Sequence, residues 1–267
     1  MMAPLYRRDL NLGVAFVKAY QEHINNNPLY LVFSDEDEMT DFTDMVEAHP
    51  NVYYLVCTEQ LDEAKKPISQ KKIWGVREIF NNDVAIENVM VVDIDSLVTK
   101  GIDIDTEVAN RVNNRKIWAS ESSNDSIINK VGNDAYSRFF DGKPNSNNQI
   151  MELTNGFRKY FWFNEIPIYQ RQYFESWLTY IDYDNKKDRL LYTTFDYMLY
   201  AWYLLTECGW ELKDIEGAVT TDQGSFLETQ MMQPNFEERF NEMAPLWIKK
   251  PFEGMHDNVF MQLHVNR

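Results

Sequence analysis

The stretch Asn88-Val89-Met90-Val91-Val92-Asp93-Ile94-Asp95 decides the reading of this chain. An unbroken apolar run of strand length is the pattern of a strand buried on both faces of a parallel sheet. Here it ends on two carboxylates, which it delivers to the carboxyl edge, where open α/β sheets bind ligands. The pair Asp-x-Asp alone is uninformative: it occurs four times, at Asp35/Asp37, Asp93/Asp95, Asp103/Asp105 and Asp182/Asp184, in a chain with 21 aspartates. Only Asp93/Asp95 directly follows a buried-strand pattern. The others read as the first turn of a helix, the cap region of a helix and a solvated turn. Oxygen ligands of this kind suit Mg²⁺ or Mn²⁺. One carboxylate would touch the ion while the other engages hydroxyl groups or coordinates through water, and the ion would bridge them to a diphosphate.

Upstream of that strand, short apolar runs alternate with amphipathic ones, the pattern of βα units on a parallel sheet. Met1 to Leu5 reads as a first strand, and Leu12, Phe16, Ala19 and Tyr20 recur at helical spacing. Leu29-Tyr-Leu-Val-Phe33 is a second strand. Ser34 followed by Asp35, Glu36, Asp37 and Glu38 predicts an N-cap with an acidic first turn, on a helix reaching about Glu47. Val52 to Val56 is a third strand, and Gln70 to Phe80 a helix whose Ile73, Val76 and Phe80 share one face.

Downstream, Ile102 to Val112 predicts a helix and Lys116 to Ala119 a short strand. Residues 121–155, rich in Gly, Asn and Ser, read as a polar insertion or mobile loop. The aromatic-rich second half resumes at Tyr160-Phe-Trp-Phe163, with a helix from about Tyr169 to Ile181. In a further helix Phe195, Met198, Leu199, Trp202 and Tyr203 follow helical offsets behind a Thr193 or Thr194 cap. The expected organisation is one α/β domain over 1–267, with a ligand-binding half at 1–120, the polar insertion or loop at 121–155 and an aromatic-rich half at 156–267.

Composition bounds the function. With 44% hydrophobic and 25% charged residues over 267 positions the chain can bury a sizeable core. Its formal charge of -16 repels phosphate backbones and anionic surfaces, so nucleic acid is not expected as a partner. Cys57 and Cys208 lie in apolar stretches and read as core thiols in a reducing compartment. The opening residues meet charge at Arg7, which predicts no secretion signal. The longest uncharged apolar run, Tyr197 to Leu205, falls far short of the roughly 20 residues that span a bilayer, so no integral membrane segment is expected.

The order of elements over residues 1–120, and the style of 160–205, resemble the glycosyltransferases of GT-A fold, which use nucleotide-diphosphate sugars. The resemblance rests on Pro4-Leu5-Tyr6-Arg7-Arg8-Asp9, Phe33-Ser34-Asp35, Lys71-Lys72 and Val91-Val92-Asp93-Ile94-Asp95. It implies a Rossmann-like, mainly parallel sheet flanked by helices, with an acceptor-side second half. It implies that Tyr6 contacts the base, Ser34 or Asp35 the base or ribose, and Lys71 or Lys72 the phosphates or donor sugar. Asp93 and Asp95 would hold Mn²⁺ or Mg²⁺, with His264, better placed than His256, as a third ligand. The family's C-terminal His signatures with Gly, Lys and Pro are absent. Donor and acceptor would be a nucleotide-diphosphate sugar, first a UDP-sugar, and a glycan or glycolipid. The implied setting is cytoplasmic, with the enzyme building a surface glycan. Independently of the resemblance, a diphosphate approaching a protein of charge -16 needs a metal and lysines to reverse the local potential.

Glu165, at the end of Phe161-Trp-Phe-Asn-Glu165, and Asp196, in a helix first turn, are the candidates for a general base in the acceptor step. Whether configuration is inverted or retained stays open. Two alternatives remain at this level. In a haloacid-dehalogenase-like phosphatase Asp93 would be the nucleophile and Asp95 the acid and base. A non-catalytic carbohydrate-binding protein would keep a degenerate transferase fold.

Overall fold

A computed structural model of the protein describes residues 1–24, 26–61, 68–94, 96–98, 103–121, 126–140, 146–160, 166–191, 194–214, 227–232 and 260–265. Its centre is a mainly parallel sheet flanked by helices. Strands β1 (Met2–Pro4), β2 (Leu29–Phe33) and β3 (Val52–Val56) pair in parallel in the order β1-β2-β3. The strand of the opening motif, β4 (Asn88–Met90), lies on the other side of β1. A parallel bridge joins Met2 to Val91, and the Val92 amide donates to Met2 O at 3.0 Å. Beyond β4, β8 (Ile168–Gln170) runs antiparallel. The order is therefore β3-β2-β1-β4-β8, and the chain reverses its direction of travel across the sheet between β1 and β4. At such a switch point the loops after neighbouring strands diverge to opposite faces and leave a crevice at their carboxyl ends.

Side-chain alternation sorts the apolar runs onto two faces. Ala3, Leu5, Leu31, Phe33, Met90, Val92 and Ile94 belong to one core, which is covered by α1 (Leu10–His23), α2 (Glu36–Thr43) and Ile104 and Val108 of α4 (Ile104–Asn114). Met2, Val32, Val89 and Val91 belong to the other, covered by α3 (Ile68–Asn82), α7 (Arg171–Tyr180) and α9 (Asp196–Glu207). Both faces being buried explains why these strands read as continuous apolar runs rather than alternating ones. Close approach of α3 depends on Gly75, where a Cβ would stand 2.8 Å from Val32 Cγ2. That approach carries the first turns of α3 over the strand ends.

Two smaller sheets complete the described strands. In one, β6 (Lys116–Glu121) pairs in parallel with β9 (Glu211–Asp214) and antiparallel with β7 (Lys159–Tyr160). In the other, β10 (Leu227–Met232) runs parallel to β11 (Phe260–Val265), which is antiparallel to β5 (Ser96–Val98).

Several expectations need correction. The segment 121–155 holds α5 (Ser126–Phe139) and α6 (Ser146–Leu153) rather than a loop. Lys130, Asn133, Ser137 and Gln149 are exposed, while Val131, Ala135, Phe139, Phe140 and Ile150 enter the second core. Few apolar residues spread at helical spacing leave a composition that looks loop-like. The α2 cap is Asp35, not Ser34: Asp35 Oδ1 accepts the Glu38 amide at 2.7 Å. At α9 the N-cap position is Phe195, which makes no side-chain cap bond, while Thr194 is buried and Thr193 lies outside the described residues. The helix expected from Tyr169 begins at Arg171, because Ile168–Gln170 pairs with β4 first. Cys57 is buried, as expected of a core thiol, but Cys208 is only half-buried. Among the described residues no helix is long and apolar enough to cross a membrane.

Phe140 tests the integration of α5. Its side chain is fully buried and meets the Trp202 ring edge-on at 5.5 Å. Phe140→Ala should cost about 3–5 kcal/mol in urea denaturation, the usual loss for a buried phenyl group. A surface loop would lose under about 0.5 kcal/mol.

Candidate functional site

The carboxyl ends of β1, β2 and β4 bring together residues that are far apart in sequence. Tyr6 follows β1, Ser34 and Asp35 follow β2, and Asp93 follows β4. The opening turns of α3 set Lys71 and Lys72 among them. Neither lysine is surface charge: Lys71 is fully buried and Lys72 is 5% exposed.

Lys71 is held on every side by the protein. Its ammonium donates to the Leu5 carbonyl and, at 2.9 Å, to Ser34 Oγ, and it pairs with Glu38 Oε2 at 3.5 Å. The same nitrogen lies 4.0 Å from the centre of the Tyr6 ring, within cation–π range. Glu38, also buried, accepts the Ser34 amide and donates its own amide to Asp35. The result is a buried knot in which one cation joins the ends of β1 and β2 to α2. Its donors are spent on protein acceptors, so Lys71 positions Tyr6 and Ser34 instead of reaching a ligand. Asp35 caps α2 and lies 3.7 Å from the exposed Arg7.

Lys72 is turned the other way. Its Nζ lies 2.6 Å from Asp93 Oδ1, and the Asp93 side chain is 36% exposed. Asp93 shares its strand face with Val89 and Val91, the face on which α3 packs, and so meets a residue of that helix. Asp196 stands deeper in the same cluster, 1% exposed. The Tyr169 hydroxyl donates to its Oδ2, and its backbone amide donates to Ser69 Oγ at 3.4 Å. Burial pushes the Asp196 carboxyl up from its ordinary 3.8, opposed by the Lys72 charge and by hydrogen bonds from Tyr169 and Ser69, while the Asp93 charge adds to the rise. Burial, then the Asp196 charge, holds the Tyr169 phenol well above 10. Asp196, in a helix first turn, was expected either to point into the cleft or to complement the helix dipole. The apolar stripe of α9 draws its first turn inside, leaving Asp196 1% exposed.

The remaining candidates divide by position. Asp95, Glu165 and His256 lie outside the described residues. His264 is placed by register alone: β11 pairs with β5 through Phe260↔Val98, Met261↔Leu97 and Gln262↔Ser96. Two residues past Gln262, antiparallel to a strand that begins just after Asp95, His264 is carried along β11 toward the Asp93 end. Asp103 caps α4, accepting the Thr106 amide at 3.2 Å. Asp105 accepts from Asn27 at 2.9 Å, and Asp184 lies 3.5 Å from Arg77. Asp103 is the cap expected of it, whereas Asp184, expected in a solvated turn, lies in the short helix α8 (Tyr183–Lys186).

Among the described residues no group of three or more His, Cys, Asp and Glu side chains is placed to hold a metal ion. The chemistry of Asp93 nevertheless fits one. It is a partly exposed oxygen donor at a strand end, and an ammonium already occupies a cation's position beside it. Sequence reasoning missed Glu38, Ser69 and Tyr169. Of these only Glu38 had a signal, three residues after the Asp35 cap in the spacing of a capping box. A cavity of about 380 Å³ opens at the amino ends of the sheet near Met1, Asn88 and Asp105. A second, of about 60 Å³, lies among Arg111, Tyr197 and Trp210. Both are lined by residues other than those of the carboxyl edge.

Among solved structures the chain is similar to the WbbM bifunctional glycosyltransferase in its apo form, at 14% identity and TM-score 0.45, over 80% of this chain and 38% of that one. It is also similar to the galactosyltransferase LgtC in complex with donor and acceptor sugar analogues, at 11% identity and TM-score 0.47, over 98% and 86% of the two chains. A third is mouse xyloside xylosyltransferase 1, apo form, at 6% identity and TM-score 0.44, over 98% and 96%. The chain thus spans well under half the length of the first of these. No family model matches the sequence. No curated protein matches it either.

The buried Lys71–Glu38 pair gives a stability test. Lys71→Met leaves Glu38 as an uncompensated buried charge, which typically costs about 3–5 kcal/mol. Adding Glu38→Leu removes that charge and should recover at least half of the loss in urea denaturation. A double variant no more stable than Lys71→Met would show that the pair does not hold the strand ends together.

Proposed function

We propose that the protein is a glycosyltransferase that moves a sugar from a nucleotide-diphosphate sugar, first a UDP-sugar, to a glycan or glycolipid acceptor. The observation that carries this reading is the meeting of Tyr6, Ser34, Lys72 and Asp93 at one switch-point edge of the sheet, with a buried ammonium 2.6 Å from the motif carboxylate. An aromatic ring and a hydroxyl at two strand ends suit a nucleoside. A lysine and an acidic pair at the third suit a diphosphate, which is the order in which such a donor would lie along the edge.

In this reading Tyr6 and Ser34 orient the nucleoside, held in place by Lys71, with Asp35 beside the ribose. Lys72 meets the diphosphate. Asp93 and Asp95, with His264, would hold Mn²⁺ or Mg²⁺. When bound, that ion supplies positive charge to the departing diphosphate as a Lewis acid. The bond from the anomeric carbon to the diphosphate oxygen breaks with its electron pair on that oxygen, and the acceptor hydroxyl oxygen bonds to the carbon. Glu165 is the proposed carboxylate to take the acceptor proton in an inverting course, since Asp196 is sealed inside.

Two measurements test this. A ligand that binds only the native state at about a hundredfold above its Kd adds about 2.7 kcal/mol of stability. A panel of nucleotide sugars with Mn²⁺ should therefore raise Tm by several degrees for at least one member, and no shift for any of them would sink the reading. Asp93→Ala and Asp95→Ala should each slow transfer at least about a hundredfold, corresponding to loss of about 2.7 kcal/mol or more of charge stabilisation. Asp103→Ala, a helix cap, should stay within a few fold. Hydrolysis of simple phosphate esters without sugar transfer would favour the phosphatase instead, and sugar binding without turnover the binding protein.

A further inference from the structure

Lys72 pairs with the carboxylate of Asp93 and acts through its charge on a second carboxylate of opposite character, Asp196. Asp93 Oδ1 is 2.6 Å from its ammonium, on a side chain 36% exposed at the strand end. Asp196 is sealed in the interior, fixed by the Tyr169 hydroxyl and Ser69. The Lys72 charge reaches Asp196 strongly enough to offset part of the cost of burying that carboxylate. The lysine stem is itself buried, with only 7% of the side chain exposed, so the ammonium has a short range of movement between these partners. A carboxylate already neutralised by an ammonium is a poor ligand for a second cation, and the two positive charges repel at close range. A diphosphate changes that balance, because its oxygens are stronger partners for an ammonium than one carboxylate oxygen.

We propose that Lys72 is a resident counter-ion that keeps Asp93 closed to a divalent cation until a diphosphate draws the ammonium away, Asp196 remaining as its inner partner. Metal and nucleotide then bind as a pair, each weakly without the other. This rests on the transferase reading above, and it gives Asp196 a positioning role through Lys72 in place of the base role expected from sequence. By reciprocity of linked equilibria, whatever factor the nucleotide adds to metal affinity, the metal adds to nucleotide affinity.

The test is Mn²⁺ binding to the full chain, followed by the electron paramagnetic resonance signal of free Mn²⁺, with and without saturating UDP. Wild-type protein should bind Mn²⁺ at least tenfold more tightly with UDP present. Lys72→Met should bind Mn²⁺ alone at least tenfold more tightly than wild type, while losing most of the gain from UDP. A gain in affinity is a readout that structural damage does not produce. Asp196→Asn, which removes the inner partner, should leave the ammonium committed to Asp93 and shrink the UDP effect without raising affinity for Mn²⁺ alone. The wild-type comparison stands even if Lys72→Met fails to fold. Equal wild-type affinity with and without UDP, or a folded Lys72→Met that binds Mn²⁺ alone no better than wild type, overturns the counter-ion role and leaves the transferase reading intact. No Mn²⁺ binding in the presence of UDP by wild type or either variant overturns the metal-assisted reading, and this inference with it.

Discussion

The Lys71 ammonium is the contact on which the candidate site depends. It is buried where β1 and β2 end, and it is satisfied by the Leu5 carbonyl, Ser34 and Glu38. A charge can be placed there only because each of its N–H groups finds an acceptor and a carboxylate balances it. In return it ties α3 to two strand ends and to α2, which fixes where Tyr6 and Ser34 stand. The next residue, Lys72, is thereby aimed at β4. Successive helix positions point about 100° apart, so one lysine can tie the ends of β1 and β2 while its neighbour faces the acidic motif.

Charge is distributed unevenly through this acidic protein. Of its 26 basic residues, two are buried side by side at the sheet's carboxyl edge, each against a carboxylate. Burial strengthens their local field, which surface lysines screened by water and salt would not match.

Much of the central sheet was legible residue by residue. Leu29–Phe33 and Val52–Val56 stand where the apolar runs placed them, and Lys71 and Lys72 lie in the opening turns of the helix before the motif strand, with Lys72 facing it. Local signals failed where tertiary burial outweighed composition. The helices within 121–155 carry just enough apolar residues to reach the core, too few to mark a helix against Asn, Ser and Gly. Asp196 looked like a dipole-facing or cleft-facing acid because a first-turn aspartate is ordinarily exposed. Its burial and its contacts with Tyr169 and Ser69, 27 and 127 residues away, show it enclosed.

Local periodicity and propensity were enough to mark β1 to β4, the amphipathic helices α1 to α4 and the acidic pair at the end of the most apolar run, because these follow from residues within a few positions of one another. The tertiary structure alone decided that β4 lies beside β1, which creates the switch point. It also decided that one lysine is a structural knot and its neighbour a partner of Asp93, and that Asp196 is an interior group. Those outcomes depend on strand order and on the depth to which each helix packs. Both are set by contacts between segments tens of residues apart, for which a single sequence carries no local signal.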